Sequence, residues 1–301
     1  MGSAHKDPFA PDLLADKRVL ITGGGTGLGR GVARHLVDHG AEVHLWGRRE
    51  AVLEEAVAEV APNRPGVAHF QTVDVRDANR VGEAVAAIWS EHGPVTSVVN
   101  NAAANFIAPT ATISARAFEA ISSTVMNGSF NTTHAVGRRW IDEGLPGTVL
   151  STLTTWVWSG SAFVVPSAMA KAAVHSMTMS LAVEWARYGI RLNAVAPGPI
   201  PTDYAWEMLS PTETSAVGAT QADQIPMGRM GSVEELANLT MFLLSDACEY
   251  LTGQTIAMDG GQMLAGPGTF AGLTSLSDQD WADIKERSKA ASAASKAQRS
   301  V

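Results

Sequence analysis

The sequence predicts an α/β fold built on a parallel sheet that is covered by helices on both faces. Short apolar stretches rich in β-branched residues alternate along the chain with longer stretches of helical pattern, and the links between them are short. This alternation is typical of parallel sheets, because each helix carries the chain back to the start of the next strand. No shift in composition divides the 301 residues, so we expect a single domain.

Seven segments have the composition of strands. In order, they are KRVLITGG, AEVHLWG, VAHFQTVDV, VTSVVNNAA, GTVLSTL, IRLNAVAPG and QTIAMDGG. The first predicted helix, GLGRGVARHLVDHG, ends at Gly40, a residue type common just beyond helix C-termini. Ser232 and Glu235 have the spacing of a capping box and mark the start of the helix VEELANLTMFLLSD. We expect an N-terminal segment over 1–15, the domain over 16–290 and a small, polar, flexible tail over 291–301.

Composition and charge argue against several classes of function. The net charge of −8 argues against nucleic acid or an anionic membrane as the main partner. The single cysteine, Cys248, cannot form an intramolecular disulfide, and the eight histidines are scattered along the sequence, so we expect no metal site. The start, MGSAHKDPF, lacks the apolar region of a signal peptide, and Gly160 and Pro166 interrupt an uncharged run, 148–170, that is long enough to span a bilayer. A cytoplasmic location without membrane association follows as the expectation.

A glycine-rich turn, LITGGGTGLGRG, joins the first predicted strand to the first predicted helix. Glycines allow the tight turn and a close approach to a pyrophosphate, and the start of the helix offers free N–H groups. The position of this turn near the N-terminus favours a dinucleotide site over a plain turn. The residues predicted to contact the cofactor here are Gly23, Gly25, Thr26, Gly27 and Leu28.

The second strand ends at WGRREAVLEE, where an NAD-type fingerprint has an acidic residue that binds the ribose. This chain has Arg48 and Arg49 there instead. A guanidinium group matches a 2′-phosphate with charge-assisted hydrogen bonds. The predicted cofactor is therefore NADPH/NADP.

Five motifs together resemble the short-chain dehydrogenase/reductase family. They are TGGGTGLG, NNAA, Asn127 in VMNGSF, Lys171, and PGPI. The resemblance implies a Rossmann-type, doubly wound parallel sheet of about seven strands, and a homotetramer or dimer assembled through the helices that carry Asn127 and Lys171. It also implies further cofactor contacts by Asp74, Val75, Asn101, Ala102, Ala103, Lys171, Pro197, Gly198, Ile200 and Thr202.

A narrower resemblance extends over nearly the whole chain. The stretches NAAANFIAPT, GSAFVVPSAMAKAAV, LAVEWARYGIRLNAVAPGPI and SDQDWADIKE are similar to mitochondrial-type 2,4-dienoyl-CoA reductases. In most of the wider family a tyrosine lies four residues before the lysine, whereas in this subfamily a serine does, as Ser167 does here. The resemblance implies the NADPH-dependent reduction of a dienoyl thioester to a 3-enoyl thioester, in unsaturated fatty acid degradation.

The chemistry of this reaction fits the change from tyrosine to serine. Hydride attack on a dienoyl thioester moves negative charge to the distant thioester oxygen. Hydrogen bonds must stabilise the charge on this oxygen, and a carbon atom must later accept a proton. The residues predicted to do this are Lys171, Ser167 and Asn127, with Lys171 also holding the nicotinamide ribose. The predicted substrate contacts are Arg76, Asn105, Phe106, Thr154, Trp156 and Tyr204.

Two departures from the subfamily leave alternatives open. Its proton-donating tyrosine would fall within TTWVWSGS, which has tryptophans instead, and Tyr204 is the tyrosine best placed to reach the site. The loop PTDYAWEML lacks the arginine that would hold coenzyme A, so Arg76 remains as the candidate for this contact. The alternatives are a carbonyl or enone reductase whose substrate lacks coenzyme A, and an inactive NADP-binding protein.

Overall fold

A single parallel sheet organises the protein, and its strands run in the order β3-β2-β1-β4-β5-β6-β7. The structure is a computed structural model that describes residues 8–202, 222–266, 273 and 276–286. The strands are β1 (Arg18–Thr22), β2 (Glu42–Gly47), β3 (Ala68–Thr72), β4 (Ser97–Asn100), β5 (Gly147–Thr152), β6 (Ile190–Pro197) and β7 (Thr255–Met258). The seven-stranded, doubly wound sheet predicted from the sequence is confirmed.

Helices cover both faces of this sheet. They are α1 (Gly27–Asp38), α2 (Glu50–Val60), α3 (Ala78–Glu91), α4 (Ala115–Ser122), α5 (Gly128–Glu143), α6 (Trp156–Ser159), α7 (Val165–Trp185), α8 (Val233–Leu244) and α9 (Gln262–Ala265). A π-helical segment, Ser123–Asn127, joins α4 to α5. Helices α1, α2 and α8 pack on one face, and α3, α5 and α7 pack on the other.

The period of two along each strand divides the core into two layers. On β1, the side chains of Val19 and Ile21 pack towards α1 and α8, whereas Leu20 between them packs towards α3 and α5. All three are fully buried. Near-continuous apolar strands follow from this arrangement, because both faces of the sheet are covered.

The two local signals for helix ends are confirmed. Helix α1 ends at Asp38, and Gly40 follows with φ of 104°, a left-handed conformation that favours glycine. At the start of α8, the Ser232 hydroxyl accepts from the Glu235 N–H while the Glu235 carboxylate accepts from the Ser232 N–H. None of the described helices is long and apolar enough to cross a bilayer. The predicted tail, 291–301, lies outside the described residues.

The expectation that the histidines are scattered is wrong for three of them. The parallel register of β2 and β3 pairs His44 with His69, and the C-terminal end of α3 brings His92 against both rings. His44 is buried, and the other two are half-buried. Residues that are distant in sequence meet here because the strand pairing, which the sequence does not specify, decides which side chains are neighbours.

Candidate active site

The strand order reverses between β1 and β4, and at this point a parallel sheet opens a crevice beyond the carboxyl ends of its strands. The glycine-rich turn lies here. Gly23 has φ of 66°, and a Cβ atom on it would lie 2.9 Å from the Cα of Ala102. A Cβ on Gly29 would lie 2.3 Å from the carbonyl oxygen of Gly23. Glycine is therefore required for the turn to pack against both the helix and the segment after β4.

Asn101 fixes the shape of this turn. Its Nδ2 donates to the carbonyl oxygens of Thr22 and Gly23, at 3.2 Å each. In return, the Thr22 hydroxyl accepts from the backbone N–H groups of Asn101 and Ala102, both at 3.0 Å. The side chain of Asn101, predicted to contact the cofactor, thus supports the loop that would hold it.

One cleft above the sheet is lined by nine of the predicted cofactor residues: Gly23, Gly25, Thr26, Arg48, Arg49, Asp74, Val75, Ala102 and Ala103. Thr124, from the π-helical segment, also lines it and was not predicted from the sequence. At the start of α1, the Thr26 side chain makes no capping hydrogen bond, and the first turn has no acidic residue. The free N–H groups and the helix dipole therefore favour an anionic group in this cleft.

Arginines around the cleft differ in their partners. Arg48 and Arg49 are exposed and form no ion pair within the described part of the chain. Arg76 binds Asp74 instead, with Nε 2.9 Å from Oδ1 and Nη2 2.5 Å from Oδ2. The hydrogen bond from Arg76 lowers the pKa of Asp74 below its usual value. The guanidinium group of Arg76, predicted to contact the substrate, is thus held beside the cofactor cleft.

The predicted contacts after β6 lie at the same edge of the sheet. The N–H of Gly198 donates to the carbonyl of Met258 at 3.0 Å, which joins the PGPI turn to the end of β7. Ile200 buries its side chain in the core beside α8. Thr202 lies near Gly27, where α1 starts. Pro197 and Leu28 are half-buried. Tyr204 lies outside the described residues.

Lys171 and Ser167 lie one turn apart on α7, so their side chains share a face. Both are buried, at 6% and 4% exposure. The ammonium group of Lys171 donates to the carbonyl oxygen of Thr152, at the end of β5. Burial lowers the pKa of Lys171 to about 8. The structure thus holds a desolvated cation and a hydroxyl group together at the carboxyl end of the sheet.

Thr154 follows β5 two residues after the carbonyl that binds Lys171. Its hydroxyl oxygen is buried and has no hydrogen-bond partner among the described residues, which leaves it available for a ligand. Trp156 is half-buried at the start of α6, a short helix that packs on α7. Phe106 packs on the apolar cluster that contains Ala170, and Asn105 accepts through Oδ1 from the N–H of Phe106 at 2.9 Å.

Asn127 differs from the other predicted catalytic residues because its side chain is exposed. It ends the π-helical segment, in which Val125 is buried against Ala170 and Val174 of α7. Two residues correspond to about half a turn of such a helix, so Asn127 lies on nearly the opposite side from Val125. The structure therefore brings Ser167 and Lys171 together on one face of α7 and leaves the side chain of Asn127 accessible on a segment that packs on this helix. A catalytic role for Asn127 stays a prediction.

Comparison with known proteins gives consistent matches. The short-chain dehydrogenase model described as enoyl-(acyl carrier protein) reductase matches residues 23–263. A probable 2,4-dienoyl-CoA reductase of Caenorhabditis elegans, named as (3E)-enoyl-CoA-producing, is 38% identical and covers 93% of this chain and 92% of that protein. A probable 2,4-dienoyl-CoA reductase of Bacillus subtilis, named as (2E)-enoyl-CoA-producing, is 40% identical, covering 83% and 98%.

Solved structures share the fold closely. A short-chain dehydrogenase from Bacillus anthracis has a TM-score of 0.75 at 37% identity, and the match covers 83% of this chain and 97% of the other. A gluconate 5-dehydrogenase from Burkholderia cenocepacia, solved with NADP and tartrate, has a TM-score of 0.76 at 29% identity, covering 84% and 98%.

Proposed function

This chain is an oxidoreductase of the short-chain dehydrogenase/reductase family, and we propose that it reduces 2,4-dienoyl-CoA with NADPH in unsaturated fatty acid degradation. The observation that carries the proposal is the buried pair of Ser167 and Lys171 on α7. Lys171 bonds the end of β5 two residues before Thr154, whose hydroxyl has no partner among the described residues. A hydroxyl where most relatives have a phenol suits a reaction whose negative charge develops far from the attacked carbon.

The cleft supports NADPH as the hydride source. The glycine turn leaves no room for side chains at Gly23 and Gly29, and the uncapped start of α1 suits a pyrophosphate. Arg48 and Arg49 leave their guanidinium groups free for a 2′-phosphate. We assign the remaining predicted contacts, including Pro197, to the rest of the cofactor by family resemblance.

In the proposed mechanism, NADPH held by the glycine-rich turn and by Arg48 and Arg49 would supply a hydride to the δ-carbon of the dienoyl thioester. The electron pair of the conjugated system then moves towards the thioester oxygen. The hydroxyl groups of Ser167 and Thr154 donate hydrogen bonds to this oxygen, and the positive charge of Lys171 stabilises it further. Each donor in such a dry site contributes more than it would in water, because little solvent screens the developing charge.

The position of the proton donor decides the product. A proton delivered to the α-carbon gives the 3-enoyl thioester, and a proton delivered to the γ-carbon gives the 2-enoyl thioester. The relatives named above include one of each kind. Trp156 and Trp158 are not acids, so we assign protonation to water, with Tyr204 as the alternative donor. We propose the 3-enoyl product, as the resemblance to mitochondrial-type enzymes implies.

The test is NADPH consumption with 2,4-hexadienoyl-CoA and longer dienoyl-CoA substrates, with the products separated by chromatography. Ser167→Ala is expected to lower kcat by about 10-fold or more, since it removes one charge-stabilising donor. Ser180→Ala is the matched control, because Ser180 lies exposed on the same helix and bonds only the carbonyl of Ser176 among its described neighbours. No NADPH consumption with any dienoyl-CoA would remove the proposal.

A second candidate is the reduction of a carbonyl or enone substrate without coenzyme A. The ion pair between Arg76 and Asp74 favours this second candidate. Arg76 is the cation that we expected to bind the coenzyme A phosphates, and its guanidinium group is already paired with a carboxylate. Turnover of free ketones or enones, with none of any acyl-CoA, would establish this candidate instead. Binding of NADPH without turnover of either class would indicate the inactive NADP-binding protein.

Assembly and location remain proposals as well. Exposed apolar side chains lie on the helices that we expect to form the interface: Phe130 on α5, and Met179 and Val183 on α7. Val183 is 82% exposed, which favours burial against a second copy in the proposed homotetramer. Sedimentation would give the oligomeric state. A cytoplasmic location, where NADPH and acyl-CoA are both available, stays a prediction.

A further inference from the structure

Four side chains converge at the amino end of the sheet, away from the cofactor cleft. Glu42 and His44 lie on the same face of β2, since they are two residues apart. His69 is the register partner of His44 on the edge strand β3, and His92 follows the last residue of α3. The possible ligand atoms of all four lie within 4.8 Å of one another.

The distances from Glu42 to the three histidines are close to those of a tetrahedral metal centre. Glu42 Oε1 lies 3.0 Å from His44 Nε2, 3.6 Å from His69 Nε2 and 3.6 Å from His92 Nδ1. Zn²⁺ binds nitrogen and oxygen at about 2.0–2.1 Å, which places neighbouring tetrahedral ligands about 3.3 Å apart. The three distances from the glutamate oxygen to the histidine nitrogens are therefore close to the spacing of neighbouring zinc ligands.

One of these atoms has no other partner. Nε2 of His69 is buried and forms no hydrogen bond with the described residues. This atom lies 3.6 Å from Oε1 of Glu42, so it faces the cluster. A buried ring nitrogen without a partner is unusual in a folded protein, and a bound cation would satisfy it.

The surroundings support metal ligation. Arg18 holds the Glu42 carboxylate with Nε and Nη2, at 2.9 Å each, and so fixes its orientation. A second carboxylate, that of Glu91, lies 3.9 Å from Nε2 of His92, on the ring nitrogen that faces away from the cluster. At this distance the carboxylate makes no hydrogen bond to the ring, but its negative charge favours a cation nearby.

We propose that Glu42, His44, His69 and His92 form a structural Zn²⁺ site. Three imidazoles and one carboxylate are the ligand types that zinc accepts, and four protein ligands leave no open position for a substrate. The ion joins β2, the edge strand β3 and the end of α3, so its role is to stabilise that corner of the fold. The site is separate from the hydride-transfer chemistry at the opposite end of the sheet.

The test uses tag-free, full-length protein that has been dialysed against a chelator. Calorimetric titration with ZnCl₂ is expected to give one high-affinity ion per chain, and zinc is expected to raise Tm. His69→Gln and His92→Gln are each expected to weaken binding at least tenfold. His134→Gln is the matched control, because His134 is exposed on α5, where its ring stacks on Phe130, and is not one of the four clustered side chains.

NADPH binding, followed by fluorescence, verifies that each variant is folded. If His69→Gln fails this check, His92→Gln at the half-exposed helix end decides the result. Substitution with Co²⁺ is expected to give the intense visible absorption of a tetrahedral centre, which His92→Gln loses. The proposal is overturned if zinc does not bind with a stoichiometry of one, or if His92→Gln binds it as tightly as His134→Gln does.

Discussion

The ammonium group of Lys171 donates a hydrogen bond to the backbone carbonyl of Thr152, and this bond joins the second turn of α7 to the end of β5. The cation is buried, and burial lowers its pKa to about 8. In the unfolded chain a lysine has a pKa of about 10.4. The buried charge of Lys171 in the proposed active site therefore lowers the free energy of unfolding.

Lys171→Met is expected to be more stable than the wild type at pH 7 in the absence of cofactor, by up to about 3 kcal/mol. Below about pH 8 the lysine is charged in both the folded and the unfolded state, so the destabilisation by the buried charge is complete. It decreases as the pH rises towards about 10.4, where the lysine also loses its proton in the unfolded chain. Urea unfolding at pH 7 and pH 10 measures the difference, which should shrink at the higher pH. An equal or lower stability of the variant at pH 7 would contradict the assigned penalty. NADPH turnover is expected to be lost.

Replacing Arg48 and Arg49 together by Glu is expected to lower kcat/KM for NADPH by about 10–100-fold, because charged hydrogen bonds to the 2′-phosphate are lost. Activity with NADH is expected to stay constant or rise. Steady-state kinetics with both cofactors measure the change in preference. Arg80→Glu serves as the control, since Arg80 is exposed on α3 and pairs with Glu83 outside the cleft. Equal losses with both cofactors would exclude a role in selectivity.

Trp156→Tyr is expected to raise kcat on dienoyl-CoA, by up to about 10²-fold, because it supplies a general acid where the subfamily has its tyrosine. Chromatography of the products would show whether the 3-enoyl thioester increases relative to the 2-enoyl thioester. Trp158→Tyr is the matched control, since that ring is exposed and lies edge-on to His175. Equal changes of kcat in the two variants would contradict the assignment of position 156 to the proton-donating tyrosine of the subfamily.

Two helical glycines are expected to respond oppositely to alanine. A Cβ on Gly137 of α5 would lie 2.3 Å from the ring of Trp185, so Gly137→Ala should destabilise the protein by about 1–3 kcal/mol through overpacking. A Cβ on Gly82 of α3 has no neighbour within 4 Å. Gly82→Ala should therefore stabilise the helix by about 0.5–1 kcal/mol. Thermal unfolding measures both, and a shift of the same sign in the two variants would contradict the proposed contact.

Several features of the fold were predictable because they depend on local chemistry. Alternation of strand and helix patterns gave the seven strands of the sheet, and Ser232 and Glu235 identified the start of α8. The glycine turn located the cofactor cleft, since only a few residue types permit such a backbone. Ser167 and Lys171 were predictable as neighbours because four residues make one turn of a helix.

The conformations of two irregular segments could not be predicted from the sequence. The exposure of Asn127 follows from the π-helical segment that joins α4 to α5, and the ion pair of Arg76 follows from the path of the chain after β3. Neither has a signature in the order of residues.

The sequence by itself determined the fold class, the cofactor turn and the serine–lysine pair, because each depends on residues close together along the chain. Only the tertiary structure decided that His44, His69 and His92 surround Glu42. The register between two parallel strands and the end of a helix on their face bring these four together, and side-chain packing over the whole sheet sets that register.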